Sequence, residues 1–318
     1  MEKLKGRMTS GIDVFSDSAS QGEAASAELG GARKLVVGGG YTAGDFAANA
    51  LGVDGGEISS LLRFKSNLIM QGAPGVGKTF VAKHLAYLIM HEVDPSRIMN
   101  VQFHASYTYE SFVAGLFPDG HGGFYLREGE LMKVCKRAAE DPDRPYFLII
   151  DEINRGNTSA IFGEIFSLME REHRGESMVL KYDALSLSIP KNLYIIGTMN
   201  TADRGLQALD YALRRRFAFY TVLPAYGSPA FLEKMRSYNC PRLMEAIASM
   251  QRLNAAIADD PVLGPGYMVG HSYWFGYKTF TASQVEDILK YEICPLLQEY
   301  WFDRPEVYSM WEHMLGVS

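Results

Sequence analysis

The chain has 318 residues, 47% of them hydrophobic and 21% charged; that is room for one large α/β domain and a smaller one, and it excludes wholesale disorder, collagen and coiled coil. The net charge of −6 argues against a free-standing nucleic-acid binder, which carries a basic face. No run of about 18 apolar residues offers a membrane span, and no apolar stretch follows Met1 to make a secretory signal. The three scattered cysteines, Cys135, Cys240 and Cys294, make neither a disulfide framework nor a zinc site, which fits a cytoplasmic protein.

Residues 1–33 are rich in Ser, Ala, Gly and Glu and read as a flexible tail or linker. An α/β domain is expected over 34–224. It opens with a short apolar run at 35–37, a glycine bend at 38–40 and a short helix over 42–51. A strand is predicted at 67–70, a helix over 80–90 that stops before Pro95, and a strand at 98–103. Residues 115–123 read as a Gly/Pro-rich loop and 128–139 as helix. The continuous apolar run 146–150 predicts a strand covered on both faces. A helix over 160–172, a hairpin over 178–189 and strands at 193–196 and 217–220 follow. Strands alternating with helices predict a doubly wound parallel sheet. After Pro224 only helices remain, at 231–238, 242–258 and 283–300, giving a small helical domain over 225–318.

The chemistry begins at Gly72, Pro74, Gly75, Val76, Gly77, Lys78 and Thr79, which fit G-x-x-x-x-G-K-[ST] between a predicted strand and the helix that opens at Phe80. Glycines let backbone N–H groups turn toward phosphate oxygens, and the helix N-terminus adds partial positive charge. Lys78 is expected at the β- and γ-phosphates and the Thr79 hydroxyl on Mg²⁺. Asp151 and Glu152 end a buried strand, the side on which open α/β sheets bind ligands. Asp151 is expected to position Mg²⁺ through its waters, and Glu152 to polarise the attacking water as general base. Asn200 and Asp203 follow a third strand, where Asn200 can contact the γ-phosphate or the water. Arg214, Arg215 and Arg216 then precede a buried strand, and arginine suits the charge of a transferring phosphoryl group, in cis or in trans.

In this order, and followed by a helical lid, these motifs resemble AAA+ NTPases. The stretches 101–110, 151–157, 199–204, 210–217, 270–273 and 295–302 narrow the resemblance to McrB-like proteins, the GTP-using motor subunits of McrBC-type modification-dependent restriction systems. Met199 to Arg204, reading Met-Asn-Thr-Ala-Asp-Arg, is the most specific of these stretches, and the resemblance covers about residues 41 to 310. It implies a homo-oligomeric ring, usually a hexamer, with nucleotide at subunit interfaces and an McrC-like partner that stimulates hydrolysis and carries the nuclease. Arg214 and Arg215 match the trans-acting arginines, and Asn200 and Asp203 the sensor motif. The segment ahead of the motor is too short and too poor in apolar residues to read modified bases. DNA recognition is therefore expected in another subunit or in the rest of a longer protein.

Residues 266–269 hold no basic side chain to contact the γ-phosphate from the lid; His271 is either a substitute for one or a structural histidine of the lid. Asp119, Glu130 and Lys133 superficially match a nuclease centre, but the Glu–Lys spacing is one residue too long, so this chain is not expected to cut. Tyr107, Tyr109, Phe112 and Phe117 read either as packing of a long insertion or as a pore or partner loop. The phosphate motifs cannot separate GTP from ATP. Two other readings stay open: an ATP-using remodeller of the MoxR or dynein-related kind, and a nucleotide-dependent scaffold, which would have no need of Glu152.

Overall fold

The computed structural model describes residues 35–181, 185–203 and 209–317. The tail expected over 1–33 and Arg204 of the sensor stretch lie outside the described residues.

Five parallel strands form the sheet: β1 (Asn67–Gly72), β2 (Ile98–Gln102), β5 (Tyr146–Asp151), β8 (Leu193–Asn200) and β9 (Ala218–Thr221), in the order β2-β5-β8-β1-β9. Strands β3 (Ala114–Pro118) and β4 (Phe124–Glu128) pair in one hairpin, and β6 (Ser177–Val179) and β7 (Ser186–Ser188) in another. Helices α1 (Ala43–Asn49) and α2 (Gly55–Lys65) precede β1, and α3 (Lys78–Met90) follows it. The remaining helices of this part are α4 (Tyr109–Phe112), α5 (Glu130–Glu140), α6 (Thr158–Phe162) and α7 (Tyr211–Arg216). The helical part holds α8 (Pro229–Ser237), α9 (Pro241–Asp259), α10 (Ala282–Ile288), α11 (Cys294–Tyr300) and α12 (Pro305–Leu315).

Side-chain alternation sorts the apolar strands onto two faces. Phe147, Ile149 and Ile196 pack with Val81, Leu85 and Ile89 of α3. Leu148, Ile150 and Ile195 pack on the other face with Leu131, Val134 and Cys135 of α5. A third core, built around Trp274, Trp301 and Phe231, gathers residues from Ala225 to Leu315 and takes in Leu51. Leu51 thus ties the segment ahead of β1 to the helical part. The three cysteines are all buried free thiols.

Several sequence expectations need correction. The expected loop over 115–123 holds in its second part, the turn at 119–123, where Asp119 Oδ1 accepts from the His121 and Gly123 amides, but residues 115–118 belong to β3 of the β3–β4 hairpin. Gly120 and Gly122 sit at positive φ in that turn, so the glycines mark its tip rather than the whole segment. The single helix expected over 160–172 breaks after α6 into short 3₁₀ turns, because Gly163 leaves the helical region at φ 49°. The helix expected over 283–300 is interrupted by a π turn at Leu289–Ile293 just ahead of Pro295. Proline has no N–H for the α-helical bond, and a widened turn accommodates its ring. Helix α2 was not expected, although Asp54 caps it by accepting from the Gly56 and Glu57 amides.

Candidate functional site

The phosphate loop follows β1 because Gly75 and Gly77 adopt left-handed φ values of 75° and 76°, which turns their amides inward at little steric cost. Gly77 caps α3 without a side-chain bond, so the first N–H groups of that helix face the loop. The Lys78 ammonium is buried and donates to the Gly72 and Ala73 carbonyls at 3.0 and 2.9 Å and to Asn200 Oδ1 at 2.7 Å. Burial pulls its pKa down to about 8, against the attraction of Glu152, Asp203 and Asp151.

Strand β5 delivers the two acids. Asp151 Oδ1 accepts from Thr79 Oγ1 at 2.7 Å and from Thr198 Oγ1 at 2.8 Å. Glu152 sits in the left-handed region at φ 53°, a strained conformation for a side chain of its size. Its Oε1 accepts from Asn200 Nδ2 at 2.8 Å, while Oε2 is buried, accepts no hydrogen bond and lies 3.3 Å from Arg155 Nε. Arg155 Nη2 in turn reaches Asp203 Oδ2 at 3.3 Å. Asn200 therefore bridges Lys78 and Glu152, and Arg155 bridges Glu152 and Asp203.

Lys78, Thr79, Asp151, Glu152, Thr198 and Asn200 line a cavity of about 490 Å³ with Pro74, Gly75, Gly77, Phe80, Gln102 and Ser272. A largely apolar recess of about 180 Å³ adjoins it, lined by Asn49, Leu51, Phe80, His271 and Phe275, and shares Gly77, Phe80 and Ser272 with the first. A polar cradle beside an apolar slot suits a nucleotide, phosphates in one and base in the other.

The lid loop is clamped onto the phosphate loop. Ser272 N donates to Gly75 O at 2.9 Å, and Thr201 Oγ1 donates to Gly266 O at 3.1 Å. Asn254 holds both the amide and the carbonyl of Val269 at 2.7 and 2.9 Å, and the Tyr226 hydroxyl donates to Gly270 O. Gly270 packs so closely that a Cβ there would lie 2.1 Å from the Gly75 carbonyl carbon. His271 does not act as a lid cation. Burial holds its pKa down at about 4, so it is neutral at pH 7, and its Nδ1 accepts from the Ala225 amide at 3.1 Å.

Lys78, Thr79, Asp151, Glu152 and Asn200 thus meet in one place, with Asp203 behind Arg155. Arg214 and Arg215 are not there. The Arg215 carbonyl accepts from Lys65 Nζ and the Arg216 carbonyl from Asn67 Nδ2, at the N-terminal end of β1. Five strand steps of about 3.3 Å, roughly 17 Å, separate Asn67 from Gly72. Arg215 pairs with Glu170 at 2.9 Å, and Arg216 pairs with it at 2.7 Å while largely buried. Arg214 is exposed and has no ion pair among the described residues; its guanidinium lies 5.9 Å from the Phe219 ring centre.

Sequence reasoning missed Thr198, Gln102, Ser272 and the role of Arg155. A polar threonine inside the apolar run of β8 was the available signal for the first; the others depend on how loops meet. The aromatic candidates divide: Tyr109 and Phe112 are core, Tyr107 packs against it, and Phe117 lies under Arg127. The hairpin shows Leu116, Phe124 and Tyr125 to solvent instead. Of the superficial nuclease set, Asp119 closes the hairpin turn and Lys133 pairs with Glu130 at 2.8 Å.

Residues 67–217 match the AAA domain of the dynein-related subfamily, and residues 245–309 match the McrB alpha-helical lid domain. The type IV methyl-directed restriction enzyme EcoKMcrB subunit of Escherichia coli (strain K12) is 43% identical over 274 residues, covering 82% of this chain and 60% of the relative. The type II restriction enzyme BsuMI component YdiS of Bacillus subtilis (strain 168) is 26% identical over 264 residues, 69% of this chain and 77% of that protein. Midasin of Giardia intestinalis is 27% identical over 149 residues, 47% of this chain and 3% of midasin. The chain thus spans about three fifths of the length of the E. coli relative.

If the lid loop is seated on the phosphate loop as described, Gly270→Ala forces two backbones apart. Its affinity for a fluorescent nucleoside triphosphate should fall roughly tenfold or more, the scale of an overpacked contact. Binding unchanged within about twofold would contradict the clamp.

Proposed function

This chain is an McrB-like AAA protein, a P-loop nucleoside triphosphatase domain with an McrB-type helical lid, and on that premise we propose that it is the hydrolytic motor of a restriction system. It works in the cytoplasm as a ring, a hexamer, in which one subunit holds the nucleotide and the next completes the site. The observation that carries this reading is the distance between the two halves of the machinery. The exposed Arg214 sits on the turn clamped to the N-terminal end of β1, while the phosphate loop leaves its C-terminal end. Those arginines serve a neighbour's nucleotide rather than their own.

In each site the loop amides and the α3 N-terminus take the phosphates, and Lys78 exchanges its carbonyl partners for phosphate oxygens. Thr79 and Asp151 are the residues that would hold Mg²⁺. A hydroxyl and a carboxylate are the hard oxygen donors it takes, and no cluster of three His, Cys, Asp or Glu competes among the described residues. The ion, when bound, neutralises phosphate charge. Glu152 Oε2 is free of hydrogen bonds and accepts the proton as water attacks the γ-phosphorus and the bond to the β-phosphate oxygen breaks. Asn200 holds Glu152 through Oε1 and aligns it, and Arg155 and Asp203 brace it from behind. The neighbour's Arg214 stabilises the transition-state charge; Arg215, tied to Glu170, assists from the same turn.

GTP is the proposed nucleotide, as the McrB-type resemblance implies, with its base in the recess beside Phe80 and His271. The proposed partner is an McrC-like nuclease subunit, and DNA is engaged through that partner or a separate recognition domain. The division into a nucleotide-binding part over 34–224 and a lid over 225–318 belongs to the same proposal.

Two measurements test this. Glu152→Gln and Arg214→Ala should each lose turnover by about 10³-fold, and mixing them should restore a measurable part, since each supplies the group the other lacks. An absence of rescue would sink the shared site. In direct competition on the Glu152→Gln variant with Mg²⁺, GTP should displace ATP; preferential binding of ATP would overturn the nucleotide assignment and favour a protein remodeller.

A further inference from the structure

Arg174 is buried, and no carboxylate pairs with it among the described residues. Its charge is satisfied by uncharged oxygens: Nη2 donates to Asn67 Oδ1 at 2.6 Å and Nη1 to Leu193 O at 2.8 Å. Longer bonds run from Nη1 to Pro190 O and from Nε to Met169 O, each at 3.4 Å. Burial lowers its pKa to about 10, so it stays charged at neutral pH. A lone cation held this deep is costly to desolvate, and the four oxygens it satisfies offset that cost. What it does here is fix the amide of Asn67.

Asn67 is the fully buried first residue of β1. With Oδ1 taken by Arg174, its Nδ2 must face the other way, and it donates to Met169 O at 2.9 Å and Arg216 O at 3.0 Å. The Arg216 carbonyl closes the turn that carries Arg214 and Arg215. Lys65 Nζ holds the adjacent Arg215 carbonyl, Glu170 Oε1 takes both the Arg215 and Arg216 guanidiniums, and Arg216 Nη1 returns to Ala212 O. Every one of these contacts grips the backbone of the turn or the two arginines after Arg214. Arg214 itself is left outside.

We propose that Asn67, oriented by the buried Arg174, is a positioning residue for the trans-acting Arg214, so that β1 sets the phosphate loop at one end and the neighbour-directed arginine at the other. This rests on the shared-site reading above. A displacement of about 1 Å in such a group costs on the order of 10²-fold in rate.

The test is Asn67→Asp in the full chain. It keeps an acceptor for Arg174 but places a carboxylate oxygen against the Arg216 carbonyl where a donor was. The variant should bind nucleotide as the native chain does, within about twofold, and lose turnover by roughly 10- to 100-fold. It should recover turnover when mixed with Glu152→Gln subunits, whose arginine turn is intact. A purely structural role would lower nucleotide affinity together with turnover and give no recovery. Retained turnover, or loss without recovery in a mixture where Arg214→Ala does recover, overturns the inference. Failure of Arg214→Ala itself to recover would overturn the shared site instead. Should Asn67→Asp not fold, Lys65→Met removes the surface bond to the same turn. It should then give the same pattern, normal binding and mixture-rescued turnover, in milder form; unchanged turnover in that variant would equally overturn the inference.

Discussion

Everything in this molecule hangs on β1 being sandwiched between β8 and β9 and sealed on both faces. Leu68, Ile69 and Met70 are fully buried, and parallel pairing on both edges leaves the strand no freedom to slide. Its two ends are therefore fixed relative to each other. One end opens into the phosphate loop; the other holds the turn of Arg214 to Arg216 through Asn67. A rigid element of this kind is what a composite site between subunits requires, because each subunit must present a nucleotide and an arginine at a constant separation.

At the phosphate end the polar groups are joined in series from Lys78 through Asn200 and Glu152 to Arg155 and Asp203. Lys78 is turned back onto Gly72, Ala73 and Asn200, and Asn200 passes the connection to Glu152. Thr79 and Thr198 both satisfy one oxygen of Asp151. Glu152 Oε2 accepts no hydrogen bond and faces only the Arg155 guanidinium at 3.3 Å, while Glu152 itself lines a cavity large enough for phosphates. The strained φ of Glu152 is consistent with a residue whose backbone is bent to aim its carboxylate. On the lid side, the contact is made with backbone, Ser272 on Gly75 and Gly270 against the same residue. With His271 neutral, the lid brings shape and hydrogen bonds to the cavity rather than charge.

The phosphate loop and the Asp151–Glu152 pair were legible because physics leaves few alternatives: inward-facing amides demand glycines, and acids at the end of an apolar run demand a use. The parallel sheet was legible for a similar reason, since strands buried on both faces read as unbroken apolar runs. The β3–β4 hairpin was not, because its turn glycines dominate the composition of the segment. Helix α2 was missed although the Asp54 cap and the spacing of Ile58, Leu61 and Leu62 both point to it, because two glycines and two serines interrupt its apolar pattern. The Arg174–Asn67 contact spans 107 positions in the chain, so no local pattern points to it. His271 could be named as a lid candidate from its position, but its neutrality follows from burial, which only the packed structure supplies.

The central claim is that no single chain holds a complete hydrolytic site. Its most direct test is turnover per chain measured as a function of chain concentration, at saturating GTP and Mg²⁺. A composite site predicts a specific rate that is near zero when chains are dilute, rises steeply as neighbours meet, and levels off once rings are complete. A specific rate independent of concentration would mean that each chain hydrolyses alone, and would contradict the account.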